Sequence, residues 1–324
     1  MKSIPELQEL IKQEIESLKY GEKPENLYDP ISYIMSLGGK RLRPLLVLLA
    51  YQLKKADVES IIKPALAVEV FHNFTLMHDD IMDKAPLRRG KPTVHEKWDE
   101  NVAILSGDTM LVKGYELMLH VDPKLLPEAL RLFNKCAVEV CEGQQIDMNF
   151  ETCPVVSVNE YIDMIRLKTA VLLGFSLELG ALMAGFPESQ RKQIYELGVN
   201  MGIGFQLMDD LLDVYGDQEK FGKLVGGDIV ANKKTYLLIT ALSLAGAKQK
   251  DILSEWLGRE KFDIEEKVNA IKTVYNQIGI KDLTTQKMDE YFDRAFEILN
   301  SIDASEEGKA LLLQFTSTLM KRES

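Results

Sequence analysis

The sequence predicts an all-α protein, built as a single-domain bundle of a dozen or more helices. Apolar residues recur at helical spacing along nearly all of the 324 residues. No run of alternating β-branched residues with hairpin turns interrupts this pattern. No linker rich in glycine, serine or proline divides the chain, so we expect one domain over residues 1–324.

The individual helices are predicted from their periodicity and from their end signals, in chain order. An amphipathic stripe runs from Leu7 to Leu18, and a second stripe begins at Ile31 and ends at Gly38-Gly39. The segment 86–92 contains Pro86, Gly90 and Pro92 and predicts a loop. The other predicted helices span about 42–53, 60–83, 102–119, 124–150, 157–184, 187–215 and 235–244, and the last eighty or so residues form four shorter amphipathic helices.

The composition excludes several classes of protein. Fifty acidic and 39 basic residues give a formal net charge of −11, which argues against a general nucleic-acid binder. The three cysteines, Cys136, Cys141 and Cys153, form no CxxC pair and no disulfide framework. Residues 1–20 lack the apolar centre of a signal peptide, and the apolar stretch 170–186 is short for a membrane span. We therefore expect a cytoplasmic protein without stable membrane insertion.

Two similar acidic clusters are the clearest feature of the chain. Residues 79–83 read Asp-Asp-Ile-Met-Asp and residues 209–213 read Asp-Asp-Leu-Leu-Asp. On a helix, the first and last aspartates of each cluster share one face. Carboxylates this close repel one another, and Mg²⁺ is a counter-charge that takes carboxylate, water and phosphate oxygens together. A solvated acidic face would explain one cluster, but two clusters in apolar helices favour a metal site. The predicted metal residues are Asp79, Asp80, Asp83, Asp209, Asp210 and Asp213.

Fixed cations accompany the two acidic clusters along the chain. Residues 38–43 read Gly-Gly-Lys-Arg-Leu-Arg at a predicted helix start, where free backbone N–H groups favour an anion. Arg88 and Arg89 follow the first cluster in the predicted loop. Lys168 lies in an otherwise apolar helix, where an unpaired ammonium is costly. The cations after the second cluster are Lys223, Lys233 and Lys234, which a solvated surface would also explain.

A series of short motifs carries a family resemblance. The motifs are Gly39-Lys40-Arg41-Leu42-Arg43-Pro44, His78-Asp79-Asp80-Ile81-Met82-Asp83, Leu87-Arg88-Arg89-Gly90, Gly143-Gln144-Gln145-Ile146-Asp147, Lys168-Thr169-Ala170, Phe205-Gln206-Leu207-Met208-Asp209-Asp210 and Gly227-Asp228-Ile229. Each is weak alone, but in this order they resemble the trans-isoprenyl diphosphate synthases, the polyprenyl synthetase family that includes farnesyl and geranylgeranyl diphosphate synthases. The resemblance covers nearly the whole chain. It implies the isoprenoid synthase type I fold, with helices around a central deep active-site cavity.

The resemblance also implies a site for an allylic diphosphate with Mg²⁺. Asp79, Asp83 and Asp209 would bind three Mg²⁺ ions once substrate is present, and Mn²⁺ is a possible substitute. The remaining members of the clusters, Asp80, Asp210 and Asp213, would act through water or through contacts to those ligands. The cations assigned to the same diphosphate are Arg88, Lys168 and Lys223, with Lys233 nearby.

The second substrate implied by the resemblance is isopentenyl diphosphate. Its diphosphate would be bound by Lys40, Arg43, His72 and Arg89. Thr169 and Gln206 would lie beside the carbocation that forms when the allylic diphosphate ionises. The cation then adds to the double bond of isopentenyl diphosphate, and the released pyrophosphate takes the final proton. Charge on the leaving group is stabilised by Mg²⁺, arginine and lysine, and an apolar cavity protects the cation from water. A homodimer is the family expectation, and the apolar helices 102–150 are compatible with it.

The residues that precede the first cluster bear on product length. Phe74 lies five residues before Asp79, about 7.5 Å along the helix, and Phe71 lies about 12 Å before it. In the family, an aromatic residue five before the motif typically limits the product to geranylgeranyl diphosphate. Thr75 is small and the motif has no insertion, unlike bacterial farnesyl synthases. The sequence therefore favours a twenty-carbon product, with farnesyl diphosphate second, although both rings could be plain core residues.

Three other functions remain open at this level. A class I terpene cyclase or squalene-synthase relative would share the fold, but Lys40, Arg43 and Arg89 argue against it. A non-catalytic diphosphate-binding subunit usually lacks part of one aspartate motif, whereas both are intact here. A purely structural helical protein would leave both clusters without a counter-charge.

Overall fold

The structure is a computed structural model that describes residues 1–216 and 226–320, and in those residues nearly all regular structure is helical. The helices are α1 (Ile4–Ser17), α2 (Glu25–Ser36), α3 (Leu42–Gln52), a 3₁₀ turn (Val58–Ile61), α4 (Ile62–Met82), α5 (Val94–Lys97), α6 (Glu100–Met118), α7 (Leu126–Thr152), α8 (Val158–Ile165), a π turn (Arg166–Ala170), α9 (Val171–Ala184), α10 (Glu188–Tyr215), α11 (Gly227–Val230), α12 (Tyr236–Leu244), α13 (Ala247–Gly258), α14 (Ile264–Ile278), α15 (Ile280–Ser301) and α16 (Glu306–Met320). The all-α prediction is confirmed, including the four helices that end the chain.

Two local features were not predicted from the sequence. The predicted loop contains a two-residue antiparallel ladder, in which Leu87 pairs with Pro92 and Arg88 pairs with Lys91. Arg89 and Gly90 form its turn in left-handed backbone conformation, with φ values of 52° and 73°. The predicted helix 157–184 contains the π turn 166–170. Strands of two residues and one widened helical turn are too short to change the apolar periodicity, so the sequence pattern missed both.

The segment Val158–Ala184 is long and apolar enough to cross a membrane by length and composition. Its most apolar window is 83% buried within the protein, as is usual for a core helix. The sequence prediction of a buried core helix for residues 170–186 agrees with this finding.

The described residues group into two compact units. The first unit comprises Met1–Cys136, Leu173–Tyr195 and Ser301–Phe315, and the second comprises Ala137–Leu172, Glu196–Asn300 and the residues from Thr316 onward. That the whole chain acts as one domain around a central cavity stays a prediction.

The first unit is built around α4, which packs against α3 and α6. In α3, the side chains from Leu45 to Ala50 are completely buried, so this helix is apolar on all sides rather than along one stripe. Gly180 of α9 lies directly against α3, because a Cβ added there would be 2.2 Å from the Val47 carbonyl oxygen. The contacts with α3 and α6 hold α4 in place, and α4 carries residues 79–83 at its C-terminal end.

The second unit has its own apolar core, in which α14 packs against α11, α12 and α13. Buried side chains at this junction include Val214, Leu237, Leu253 and Ile271. Val214 directly follows residues 209–213 near the end of α10, so the core of this unit anchors the helix that carries the second acidic cluster.

Candidate active site

The first aspartate cluster, residues 79–83, occupies the last turn of α4. Asp83 caps the helix, and its N–H donates to the Asp79 carbonyl oxygen at 2.9 Å. Asp79 is half-buried and Asp83 is exposed, whereas the Asp80 side chain is only 3% exposed. The first and last aspartates of this cluster are therefore at least partly accessible, whereas the middle aspartate points into the protein.

Arg88 holds the buried carboxylate of Asp80. From the first strand of the ladder, its Nε donates to both Asp80 oxygens at 2.9 and 2.8 Å, and its terminal nitrogen donates to Oδ1 at 2.7 Å. The same terminal nitrogen lies 3.9 Å from an Asp79 oxygen. Burial raises the pKa of Asp80, and the hydrogen bonds from Arg88 oppose that rise. Arg88 thus joins the two-residue ladder to the first aspartate cluster.

Several arginines of the first unit lie close to His72. The pKa of His72 lies well below its ordinary value, first because burial penalises the imidazolium and then because Arg43, Arg89 and Arg88 repel its positive charge. His72 is therefore neutral at pH 7 and can donate one N–H while its other ring nitrogen accepts. The structure brings together the predicted isopentenyl diphosphate residues His72, Arg43 and Arg89.

The loop that carries Lys40 is fixed by Arg41. Arg41 has a left-handed φ of 47°, and the two glycines that precede Lys40 have φ values of 78° and 120°. Its guanidinium donates to the buried Glu69 carboxylate at 2.7 Å and also to the Met35 carbonyl oxygen. Arg41 is thus turned towards the interior, while exposed Lys40 and half-buried Arg43 flank it on the loop and on α3. The family resemblance assigns Lys40 and Arg43, but not Arg41, to isopentenyl diphosphate, and the inward contacts of Arg41 are compatible with that assignment.

The second aspartate cluster, residues 209–213, lies within α10 and repeats the arrangement of the first. Asp209 is exposed and Asp213 is half-buried, but Asp210 is only 4% exposed. The Asp210 carboxylate accepts hydrogen bonds from the Tyr161 hydroxyl and from the Gln206 side-chain amide, the latter at 3.1 Å. Burial, together with the negative charge of Asp228, raises the pKa of Asp210 to about 7.

Asp213 connects the second aspartate cluster to the helix that follows it. Its Oδ2 accepts from the Asp228 backbone N–H at 3.0 Å, and its carbonyl oxygen accepts from the Gly226 N–H at 2.7 Å. The Lys233 N–H in turn donates to the Asp228 carbonyl oxygen at 2.9 Å. The positive charge of Lys233 also acts on Asp210 and opposes the rise in its pKa. The structure therefore brings the predicted residue Lys233 close to this cluster, whereas Lys223 lies outside the described residues.

Lys168 and Thr169 lie in the π turn and have partners on two different helices. Lys168 Nζ forms an ion pair with Asp147 Oδ2 of α7 at 2.6 Å. The Thr169 hydroxyl donates to Gln206 Oε1 of α10 at 3.1 Å. A single hydrogen-bonded chain therefore runs from Thr169 through Gln206 and Asp210 to Tyr161.

Two glycines allow α7 and α10 to approach the π turn closely. A Cβ on Gly143 would lie 2.2 Å from the Lys168 backbone nitrogen, and a Cβ on Gly202 would lie 2.5 Å from the Ala170 Cα. Asp147 and Gln206 both bind side chains of the π turn. Gly143 lies four positions before Asp147, and Gly202 lies four positions before Gln206. On a helix, residues four apart share one face, so each glycine and its polar partner meet the π turn together.

Sequence reasoning missed several partners of the predicted residues. Asp147 belongs to a motif that carried the family resemblance but was assigned no role. Tyr161 precedes Lys168 by seven residues, a spacing that would place both on one face of a regular helix. Asp228 also lay in a quoted motif without a role.

Within residues 1–216 and 226–320, the structure groups no three histidine, cysteine or acidic side chains into a set ready to hold a metal ion.

The predicted product-length residues belong to an aromatic cluster in the first unit. The Phe71 ring lies 5.7 Å from the Phe74 ring and 5.2 Å from the Phe133 ring, between centroids. Phe74 is half-buried and packs against His78 at 4.8 Å, whereas Phe71 is fully buried. The Thr75 hydroxyl donates to the His72 carbonyl oxygen at 2.8 Å. Phe74 is thus the accessible member of a wall that Phe71 and Phe133 support.

The chain is similar to known proteins of one family. The sequence pattern of the family described as Polyprenyl synthetase matches residues 24–278. The chain is 45% identical over 259 residues to a short chain isoprenyl diphosphate synthase of Methanocaldococcus jannaschii, a match that covers 79% of each chain. It is 37% identical over 303 residues to a geranylgeranyl diphosphate synthase of Methanosarcina mazei, covering 93% of this chain and 91% of that protein. A crystal structure of a geranylgeranyl pyrophosphate synthase superimposes with a TM-score of 0.95 at 44% identity, over 100% of both chains.

The Arg88–Asp80 pair yields a stability prediction. Replacing Arg88 by Gln leaves the Asp80 carboxylate buried without a positive partner, so we expect the free energy of unfolding to fall by about 3 kcal/mol. The same change at Arg89, an exposed residue, should cost less than about 1 kcal/mol. Urea unfolding without metal or substrate measures both variants. Adding Asp80→Asn to Arg88→Gln should restore most of the loss, and equal losses for Arg88→Gln and Arg89→Gln would contradict the assignment.

Proposed function

The chain belongs to the polyprenyl synthetase family, and from that premise we propose that it is an isoprenyl diphosphate synthase that makes geranylgeranyl diphosphate. It would join isopentenyl diphosphate to an allylic diphosphate: dimethylallyl, geranyl or farnesyl diphosphate. The observation that carries the proposal is the repeated aspartate arrangement. In each cluster the second aspartate is buried and hydrogen-bonded, while the first aspartate remains accessible.

Enzymes of this family depend on Mg²⁺, and the available oxygen atoms suit that ion. Mg²⁺ prefers carboxylate oxygens and keeps several positions for water and phosphate. Asp79 and Asp83 present carboxylates at the end of α4, and Asp209 presents one on α10. We propose that these three aspartates hold three ions once the allylic diphosphate is present. When bound, the ions supply positive charge that stabilises the departing diphosphate.

The protein's own cations would stabilise the two diphosphates. Arg88 and Lys168 already lie beside acidic residues, so each can share its donors with an incoming phosphate without being repositioned. In this proposal they bind the allylic diphosphate with Lys223 and Lys233. His72, with Arg43 and Arg89 near it, binds isopentenyl diphosphate together with Lys40. Because His72 is neutral, it contributes a hydrogen bond there rather than a charge.

Thr169 and Gln206 would serve the carbocation. The hydrogen bond between them orients the Thr169 hydroxyl, and the bond from Gln206 to Asp210 holds the amide in place. Preorganised oxygen dipoles stabilise developing positive charge without further rearrangement. Neither residue is a strong base, which fits removal of the final proton by the released pyrophosphate.

Product analysis with labelled isopentenyl diphosphate tests the proposed reaction. With Mg²⁺ and each allylic starter in turn, we expect a twenty-carbon product and pyrophosphate release only when both substrates are present. Turnover of an allylic diphosphate alone would indicate a terpene cyclase instead. A folded protein that binds diphosphates but releases no pyrophosphate would indicate a non-catalytic subunit.

Phe74 should set the length of the product. Replacing Phe74 by Ala opens the accessible part of the aromatic wall, so we expect products longer than twenty carbons. Chromatography of the dephosphorylated products measures the change. Leu76→Ala, two residues further along the same helix and thus on a different face, should leave the product unchanged. An unaltered product from Phe74→Ala would remove this ring as the floor of the pocket.

The exposed face of α6 supports the proposal of a homodimer. Leu105, Val112 and Leu119 recur every seven residues and are 59%, 57% and 62% exposed. A seven-residue apolar stripe is typical of a helix that packs against another helix. We expect the protein to sediment as a dimer and the double variant Leu105→Glu/Val112→Glu to sediment as a monomer. Val155→Glu, at an isolated exposed position, is the control and should remain dimeric. A dimer that persists in the double variant would place the interface elsewhere.

A further inference from the structure

Lys267 is a completely buried lysine that none of the proposed steps uses. It lies in the first turn of α14, and its side chain has no exposed surface. Its Nζ donates to Asn232 Oδ1 at 2.6 Å and to the Val230 carbonyl oxygen at 3.1 Å. The ammonium also lies 4.1 Å from the centre of the Phe262 ring. Among the described residues no carboxylate pairs with it, and burial lowers its pKa.

Burying an ammonium group with only neutral partners costs free energy. The groups that this ammonium holds in place therefore indicate its role. Both oxygen atoms that accept from Lys267 belong to residues 230–232, the turn in which α11 ends. Asn232 has a left-handed φ of 54°, which few non-glycine residues adopt. Its side-chain amide nitrogen donates to the Leu257 carbonyl oxygen at 3.1 Å. The Asn232 side chain is therefore held at both ends.

The same turn joins the two residues that border the second aspartate cluster. Asp228 is bound through its backbone N–H to Asp213, and the N–H of Lys233 is bound to the Asp228 carbonyl oxygen. The charges of Asp228 and Lys233 both act on Asp210. A change in the backbone of residues 230–232 would move Asp228 and Lys233 relative to the cluster.

We propose that Lys267 is a positioning residue for the allylic diphosphate site, because its ammonium fixes the turn that places Asp228 and Lys233 beside the second aspartate cluster. This inference rests on the proposed function. A methionine at position 267 would fill a similar volume but leave two buried oxygen acceptors without a donor. The turn would then relax while the apolar core around α14 remained packed. The effect should reach the allylic diphosphate and Mg²⁺, and should spare the isopentenyl diphosphate residues, which belong to the other unit.

Steady-state kinetics of the full chain test this role. For Lys267→Met we expect the KM for the allylic diphosphate and the Mg²⁺ concentration for half-maximal rate each to rise about tenfold, from the loss of hydrogen bonds to buried acceptors. The KM for isopentenyl diphosphate should stay within about twofold. Lys272→Met removes the same charge from the same helix and is the control, with all three constants unchanged. Equal changes in both KM values, or a lower melting temperature with unaltered constants, would overturn the proposal.

Asn232→Gly keeps the experiment decisive if Lys267→Met does not fold. Glycine accepts the left-handed backbone, so this change keeps the turn conformation and removes the side-chain amide, with its hydrogen bonds to Lys267 and to the Leu257 carbonyl oxygen. We expect the same selective rise in the allylic KM, but smaller, because the Val230 carbonyl oxygen keeps its donor. In the double variant the effects should be less than additive, since the two residues form one contact. Wild-type constants for Asn232→Gly would contradict the proposal, whereas the absence of product from the unaltered chain would refute the proposed function itself.

Discussion

Repulsion between neighbouring carboxylates is the constraint on which both aspartate clusters depend. Three aspartates within one helical turn destabilise one another unless each has a separate environment. In both clusters the second aspartate is buried and satisfied by fixed donors, Arg88 for Asp80 and Tyr161 with Gln206 for Asp210. The negative charge that remains accessible is thereby limited to the first and last members. Those two side chains share one helical face, which the proposed metal site requires.

The groups that bind the two buried aspartates, Asp80 and Asp210, differ in charge. Asp80 is bound by an arginine, so a positive charge is already built into the first aspartate cluster. Within residues 1–216 and 226–320, the groups that donate to Asp210 are neutral, and burial together with the negative charge of Asp228 raises its pKa to about 7. A positive charge near Asp210 would favour its ionised form. Lys233 acts on Asp210 from the following turn, so in the proposed function the position of that turn bears on the binding of a metal diphosphate.

Much of the fold and of the site could be predicted from the sequence, because both depend on local patterns. Apolar periodicity predicts the helices, and the spacing of Asp79 and Asp83 predicts their common face. Contacts between distant segments could not be predicted in this way. The pairs Lys168–Asp147 and Tyr161–Asp210 join residues that are 21 and 49 positions apart. A single sequence contains no local pattern that predicts such contacts. The role of Lys267 was missed as well, because a lysine near a helix start is usually solvated and its partners lie far away along the chain.

The π turn explains why glycines accompany the polar residues that bind it. A widened turn occupies more space than a regular one, and π turns are frequent at functional sites. Neighbouring helices can reach its side chains only if their own backbones come close, and Gly143 and Gly202 allow that approach. Asp147 and Gln206, one turn further along the same faces, then meet Lys168 and Thr169 at hydrogen-bond distance. Close packing and polar contact therefore depend on each other. Any side chain at either glycine would push its helix away from the π turn and would move Asp147 or Gln206 out of hydrogen-bond distance.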